Sequence, residues 1–211
     1  MFNKSKIVKK NGEKPTETEE LFAKALSHFE VQQADLQQHL RFVFIASVEE
    51  TEFKQKDGTQ NKYFLVRIPF RSLASYKKVS TQVINFLEER FRYPCIVVAN
   101  RTIISTRAKH HASQQRPRSR TLKAVHAAVL EDITAPSHIN GRQIRCCMDG
   151  QKLETIFLDP MDKDIISSRL ESMRHCYQAL TTHKVHFGFA KLTSFQLKKL
   201  IAAKVKKGKE E

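Results

Sequence analysis

From residue 16 onward the apolar positions switch between helical and strand spacing, and each switch marks an element. Residues 1 to about 15 are polar, hold Gly12 and Pro15, and read as an arm. Thr16-x-x-Glu19 is a capping-box pattern placed just before an apolar stripe. Leu21, Phe22, Ala25, Leu26 and Phe29 recur at helical spacing, which predicts a helix from 16 to about 34 and a short helical turn over 34–40. Phe42 to Phe53 is rich in aromatic and β-branched residues, Lys56-Asp57-Gly58-Thr59 supplies turn chemistry, and Tyr63 to Ile68 is an apolar run ended by Pro69. Together they predict a hairpin. Leu73, Tyr76, Val79, Val83, Phe86, Leu87 and Phe91 form the next helical stripe, which Pro94 stops. Cys95 to Ala99 is uniformly apolar, as suits a strand buried on both faces.

The same order of elements then recurs. Residues 105–119 show no apolar period and are expected to form an exposed loop, ordered only by a partner. Ser119 or Thr121 can cap a helix whose apolar positions are Leu122, Val125, Val129 and Ile133. Arg142–Met148, Asp149-Gly150 and Leu153–Leu158 give a second hairpin signal. Asp159 at the N-cap and Pro160 at the first helical position open another helix, along Ile166, Leu170, Met173, Tyr177 and Leu180. Val185, Phe187 and Phe189 alternate as a last strand. The expected organisation is an arm (1–15), an α-β-β-α-β half (16–104), a basic loop (105–120), a second α-β-β-α-β half (121–189) and a lysine-rich extension (190–211). The class is α+β, with packed helices on mixed sheet or sheets. The loop is either a linker between the halves or an excursion from one shared sheet. In the extension, Phe195, Leu197, Leu200, Ile201 and Val205 among lysines suggest a basic amphipathic helix.

At 211 residues and 40% hydrophobic composition, the chain can bury a core without disulfide or metal staples. The net charge of +15 changes the picture because it is segregated. Arg90 to Leu130 holds nine arginines and lysines and no acid, and so does Ser172 to Lys209. Such territories repel themselves unless a polyanion lies against them, and nucleic acid is the commonest one. Cys95, Cys146, Cys147 and Cys176 form no C-x-x-C pair and read as reduced, small hydrophobes, which favours a reducing compartment. Neither a signal sequence nor a run of ~20 apolar residues appears, so no membrane partner is expected.

Most catalytic and cofactor chemistry finds no footing. The six glycines make no phosphate-binding loop, so neither a nucleotide cofactor nor a small-molecule substrate is expected. Asp159, Asp162 and Asp164 could gather a Mg²⁺ ion, but carboxylates at a predicted helix start complement the helix dipole. His110-His111 and His175-Cys176 lack partners at a ligand spacing. No metal site and no catalytic residue is expected. His186-Phe187-Gly188-Phe189 matches an RNA-recognition-motif strand only in part, and the alternation favours burial of Phe187 and Phe189.

What survives is Arg116-Pro117-Arg118-Ser119-Arg120-Thr121. Pro117 stiffens the backbone, the guanidinium forks suit phosphate, and the run enters the N-terminus of a predicted helix, where free N–H groups favour an anion. Arg101, Arg107, Lys109 and Lys123 are expected to extend this contact. Lys198, Lys199, Lys204, Lys206 and Lys207 are expected to form a second one, to RNA or to an acidic protein neighbour.

The same residues carry a resemblance. Gln115 to Leu122, followed by Ala124-Val125-His126 and Leu130-Glu131-Asp132, is similar to the signature region of the eukaryotic small-subunit ribosomal protein seven family. Lys6-Ile7-Val8-Lys9, Asn11-Gly12-Glu13-Lys14-Pro15 and the Asp149-Gly150 hairpin leading to Leu158-Asp159 resemble that family too, over roughly residues 2–189. The resemblance implies a non-enzymatic protein that binds small-subunit rRNA and neighbouring ribosomal proteins and contributes to subunit assembly and rRNA maturation. It would reside in cytoplasmic ribosomes after nucleolar passage. The lysine-rich tail after Ala190 looks like an extension beyond the family's usual end. The rival reading is an RNA-modifying or RNA-cleaving enzyme with a basic docking loop. A third is an interaction protein that docks a partner through its acidic N-terminal helix.

Overall fold

The first helix begins where the capping box places it. Thr16 accepts the Glu19 N–H at 3.4 Å, and the Glu19 carboxylate accepts the Thr16 N–H at 2.9 Å, opening α1 (Glu17–Gln32). Residues 6–9, 13–55, 60–105 and 116–191 are described by the computed structural model. The 56–59 turn and the amphipathic tail helix therefore lie outside the described residues. Part of the expected arm is tied down. Buried Lys6 donates to the Leu40 carbonyl at 2.8 Å and pairs with Glu30, and Ile7 bridges to Ile45.

Within the first half, a 3₁₀ turn over 34–36 leads to α2 (Gln37–Leu40), then β1 (Ser47–Lys54), β2 (Gln60–Ile68), α3 (Leu73–Phe91) and β3 (Cys95–Ala99). The strand expected from Phe42 starts only at Ser47, because Ile45 is occupied by its bridge to Ile7. In α3 the stop comes before Pro94: Arg92 takes a left-handed conformation (φ 60°) and its N–H closes on the Glu88 carbonyl at 2.7 Å. The second half has α4 (Leu122–Thr134), β4 (Ile139–Cys146), β5 (Lys152–Leu158), α5 (Lys163–Ile166), α6 (Leu170–Thr181) and β6 (Lys184–Phe189). The single helix expected after Asp159 is broken by 3₁₀ turns over 160–162 and 167–169. Ser167 and Ser168 are poor helix formers, and the tightened turn carries Arg169 inward.

The halves do not share a sheet. β1-β2-β3 and β4-β5-β6 are separate three-stranded sheets of one design, an antiparallel hairpin with a third strand added parallel to its second. They stack as layers. One core packs α1, α2 and α3 on one face of the first sheet, through Val48, Phe64, Val66 and Val97. Phe22 anchors it, stacked on Phe91 at 4.0 Å and edge-on to Phe64 at 5.1 Å. A second core joins the opposite face of that sheet, through Tyr63, Leu65, Ile96 and Val98, to residues of α4, α6 and the second sheet such as Leu130, Tyr177, Ile156 and Phe187. Phe187 and Phe189 thus face inward, as their alternation predicts.

Two buried ion pairs stitch the seam, one at each end of β3. Glu88 of α3 accepts the Cys95 N–H at 3.1 Å and the Arg169 guanidinium of the second half. Asp132 of α4 accepts the Ala99 N–H at 3.1 Å and the guanidinium of Arg101. Such carboxylates leave no β3 terminus unsatisfied while crossing from one half to the other. The hydroxyl of Tyr76 is wholly buried nearby, and its pKa is pushed well up, by burial first and by the Asp132 charge second.

The cysteines divide by layer. Cys95 and Cys176 are buried, and burial above all pushes each thiol up to about 12. Cys146 and Cys147 are exposed at the hairpin end. A thiol needs its thiolate to react. At pH 8 the native protein is therefore expected to release colour from Ellman's reagent for Cys146 and Cys147 promptly. Cys95 and Cys176 should react only after unfolding in guanidinium. Prompt reaction of all four in the native protein would contradict the packing of both cores.

Candidate nucleic-acid interface

β3 leaves the sheet at Ala99, and the chain runs out through residues 100–105 and returns at 116. The two limbs are tied at their base. The Ile104 N–H donates to the Arg120 carbonyl at 3.0 Å, and the Arg116 guanidinium donates to the Ile104 carbonyl at 2.8 Å. The described limbs on either side of residues 106–115 are therefore held together in a neck at 104, 116 and 120. Residues 118–120 form one 3₁₀ turn, with the Arg120 N–H on the Pro117 carbonyl at 3.1 Å. Thr121 then caps α4, accepting the Ala124 N–H at 3.4 Å while its hydroxyl donates to the Arg118 carbonyl at 2.8 Å. The cap side chain thus fixes both the helix start and the turn that presents the arginines.

The three motif arginines are not equivalent. Arg118 and Arg120 are exposed, as is Lys123 on the first turn of α4, and none of these forms an ion pair with a described residue. The first turn of α4 has no acid, so three free cations and a positive helix end coincide. Arg116 is half-buried and engaged at the neck. The evenly spaced array expected from sequence is thus a pair of outward cations with Arg116 as its anchor.

Arg101 is placed differently from the expectation. Its side chain is 11% exposed, both terminal nitrogens engage Asp132, and its guanidinium lies 6.0 Å from the Phe70 ring centroid. A guanidinium so committed fixes the start of the 100–105 limb and is not available to a phosphate. Arg107, Lys109, Lys198, Lys199, Lys204, Lys206 and Lys207 lie outside the described residues.

On the flank of α4, His126 meets His183 edge-to-face, with ring centroids 5.4 Å apart. Partial burial first, and the His183 charge second, lower the pKa of His126. The positive field at this end of α4 is therefore carried by arginine and lysine at neutral pH, not by its histidine. Sequence reading placed Lys184 in the second acid-free stretch but did not bring it together with exposed Arg145 on one sheet face. Their signal was strand alternation, which puts them on the face opposite Ile156 and Phe187.

Asp159 accepts the Met161 N–H at 3.1 Å as a helix cap, and Asp164 is exposed. Among the described residues, no group of three or more His, Cys, Asp and Glu side chains is arranged to hold a metal ion. No described helix is long and apolar enough to cross a membrane.

Residues 6–189 match the sequence model of the family described as ribosomal protein S7e. The small ribosomal subunit protein eS7 of Schizosaccharomyces pombe is 35% identical over 187 residues, spanning 88% of this chain and 94% of that protein. That of Avicennia marina is 35% identical over 185 residues, spanning 87% and 95%. That of Dictyostelium discoideum is 34% identical over 197 residues, spanning 92% and 99%.

Proposed function

The chain belongs to the ribosomal protein S7e family, and on that premise we propose that it clamps small-subunit rRNA through Arg118, Arg120 and Lys123, and serves subunit assembly and rRNA maturation. Its role is structural, as a constituent of the small ribosomal subunit, and it is not an enzyme. The carrying observation is the trio of exposed cations, without an ion pair among the described residues, on a capped turn whose base is tied through Ile104 to the limb that follows β3. A pre-ordered turn holds its charges in place before RNA arrives, so less ordering entropy opposes binding. Recognition of this kind reads RNA shape and backbone more than base identity. Arg107 and Lys109 would lengthen the contact across the excursion. Lys198, Lys199, Lys204, Lys206 and Lys207 would supply a second one, to RNA or to an acidic neighbouring ribosomal protein. The location that follows is the cytoplasmic ribosome, reached after nucleolar passage during assembly.

A salt titration tests this reading. With a small-subunit rRNA fragment, each phosphate that a substitution leaves without its cation should reduce the slope of log K against log salt by about 0.7–0.9. Arg118→Ala with Arg120→Ala should free two phosphates in this way and weaken binding at every salt concentration. Arg116→Ala should loosen the neck and leave the slope nearly unchanged, since its guanidinium is on the Ile104 carbonyl. Equal slopes for the double variant and the parent would take the phosphate role away from Arg118 and Arg120.

A further inference from the structure

The layers of this protein end on a bare sheet. The first sheet is covered on both faces, by α1–α3 on one side and by α4 and α6 on the other. The second sheet buries only the face carrying Ile156, Leu158, Val185 and Phe187. No described element covers its opposite face.

The composition of that face says what could cover it. In the first sheet, the face that receives α4 and α6 carries Phe53, Tyr63, Leu65, Ile96 and Val98. The bare face of the second sheet carries Gln143, Arg145, Leu153, Thr155, Lys184 and His186, and no acid. The one acid in β4, β5 and β6, Glu154, points inward and is paired with Arg142. A helix layer would bury those cations without partners, whereas a polyanion would neutralise them. The chain's own tail is an unsuitable cover, because residues 192–211 are themselves rich in lysine.

One aromatic, half-buried Phe157, stands on this face near the Leu158 end of β5. Phe157 on the central strand pairs with Gly141 on β4 and with Gly188 on β6. A Cβ at Gly141 would come within 3.6 Å of the Phe157 ring, and one at Gly188 within 4.0 Å. The two glycines therefore keep side chains away from both flanks of the ring. An aromatic on a central strand, flanked by two glycines, with His186 opposite Thr155 and with Arg145 and Lys184 opposite Leu153 farther along the same face, has the chemistry that stacks a base and holds the phosphates that follow it.

We infer that the outward face of the second sheet, centred on Phe157, is a stacking platform for an unpaired base of RNA. It is separate from the Arg118–Arg120 turn, and it rests on the reading that this protein binds RNA.

The chain has no tryptophan, so Phe157→Trp in the full chain creates a single fluorescent reporter on the platform. The probe is a single-stranded oligoadenylate of about 12 nucleotides, within the range one such surface accommodates. Its binding is read independently by anisotropy of a fluorescein label. Saturable quenching of the tryptophan, with the same midpoint as the anisotropy, is expected. Phe157→Leu, which keeps the apolar volume but removes the π face, should weaken binding on the order of ten-fold with little change in salt slope. Protection of Cys95 and Cys176 from Ellman's reagent verifies that each variant is folded. Binding by anisotropy with an unquenched tryptophan and an unaffected Phe157→Leu variant would overturn the platform, leave RNA binding intact, and make a neighbouring protein the occupant of this face. Absence of binding in either channel would overturn the platform, while the salt titration with the rRNA fragment tests the Arg118–Arg120 contact separately.

Discussion

Asp132→Ala is expected to lower the unfolding free energy by about 3–5 kcal/mol, read as a fall in urea midpoint at unchanged m. The size follows from what remains. Asp132 is 6% exposed and serves two donors, the Ala99 N–H and the Arg101 guanidinium. Removing the carboxylate leaves a charge that is 11% exposed with no counter-ion, and a strand-end N–H with no acceptor. Asp132→Asn keeps an acceptor and should cost less. Replacing both partners with apolar residues of similar volume should recover much of the loss, because neither half of the pair is then stranded. The damage should also reach the RNA-binding turn. Arg101 heads the limb whose Ile104 is bonded to Arg120, so amide exchange at Ile104 and over 120–125 should quicken in the alanine variant. The salt slope for RNA should stay put in the fraction still folded, since no exposed cation is removed. A midpoint within experimental error of the parent would show that this pair does not hold the seam.

That coupling was invisible in the sequence, whereas much of the surrounding fold was not. Local chemistry wrote the element boundaries: the Thr16–Glu19 box, the Thr121 cap and the Asp159-Pro160 start lie where their side chains require. Periodicity separated strand from helix and placed Phe187 inside. Failures came where a distant residue decided. Ile7 claimed Ile45 and delayed β1, and Arg169, on the 3₁₀ turn that Ser167 and Ser168 favour, found its partner in distant Glu88. Two separate sheets rather than one is likewise a matter of which strands meet, and no local signal encodes that.

The site shows the same division. Charge segregation located the basic territory, and the Thr121 cap explains why its arginines sit on an ordered turn. Composition could not separate Arg116 and Arg101, which are consumed inside the protein, from Arg118 and Arg120, which are free. A guanidinium is the same residue in either setting, and only a partner such as Asp132 or the Ile104 carbonyl tells them apart. The resemblance of residues 115–132 to the ribosomal family was legible because it depends on residue order rather than on contacts, and family membership bears it out.

Arg169→Ala is expected to cost about 3 kcal/mol, the lower end for breaking a buried pair, because Glu88 keeps some access to water at 23% exposure and still holds the Cys95 N–H. Its interest lies in how the protein then unfolds. Arg169 belongs to the second half and Glu88 to the first, so a seam held mainly by ion pairs would let the halves melt apart. The second core argues otherwise. Tyr63, Leu65, Ile96 and Val98 of the first sheet are packed with Leu130, Cys176 and Tyr177 of the second half, and that apolar contact survives the substitution. Cys95 reports on the first half and Cys176 on the second, and both are silent until their layer opens. In a urea series, the two thiols should become reactive together in the parent and together again, at lower urea, in Arg169→Ala. Lys62→Ala removes a partly exposed surface partner of Glu50 and Glu52 and should barely move either thiol, since such surface pairs contribute little. If Cys176 becomes reactive well before Cys95 in the Arg169 variant, the ion pairs, and not the shared core, are what make one folding unit of two halves.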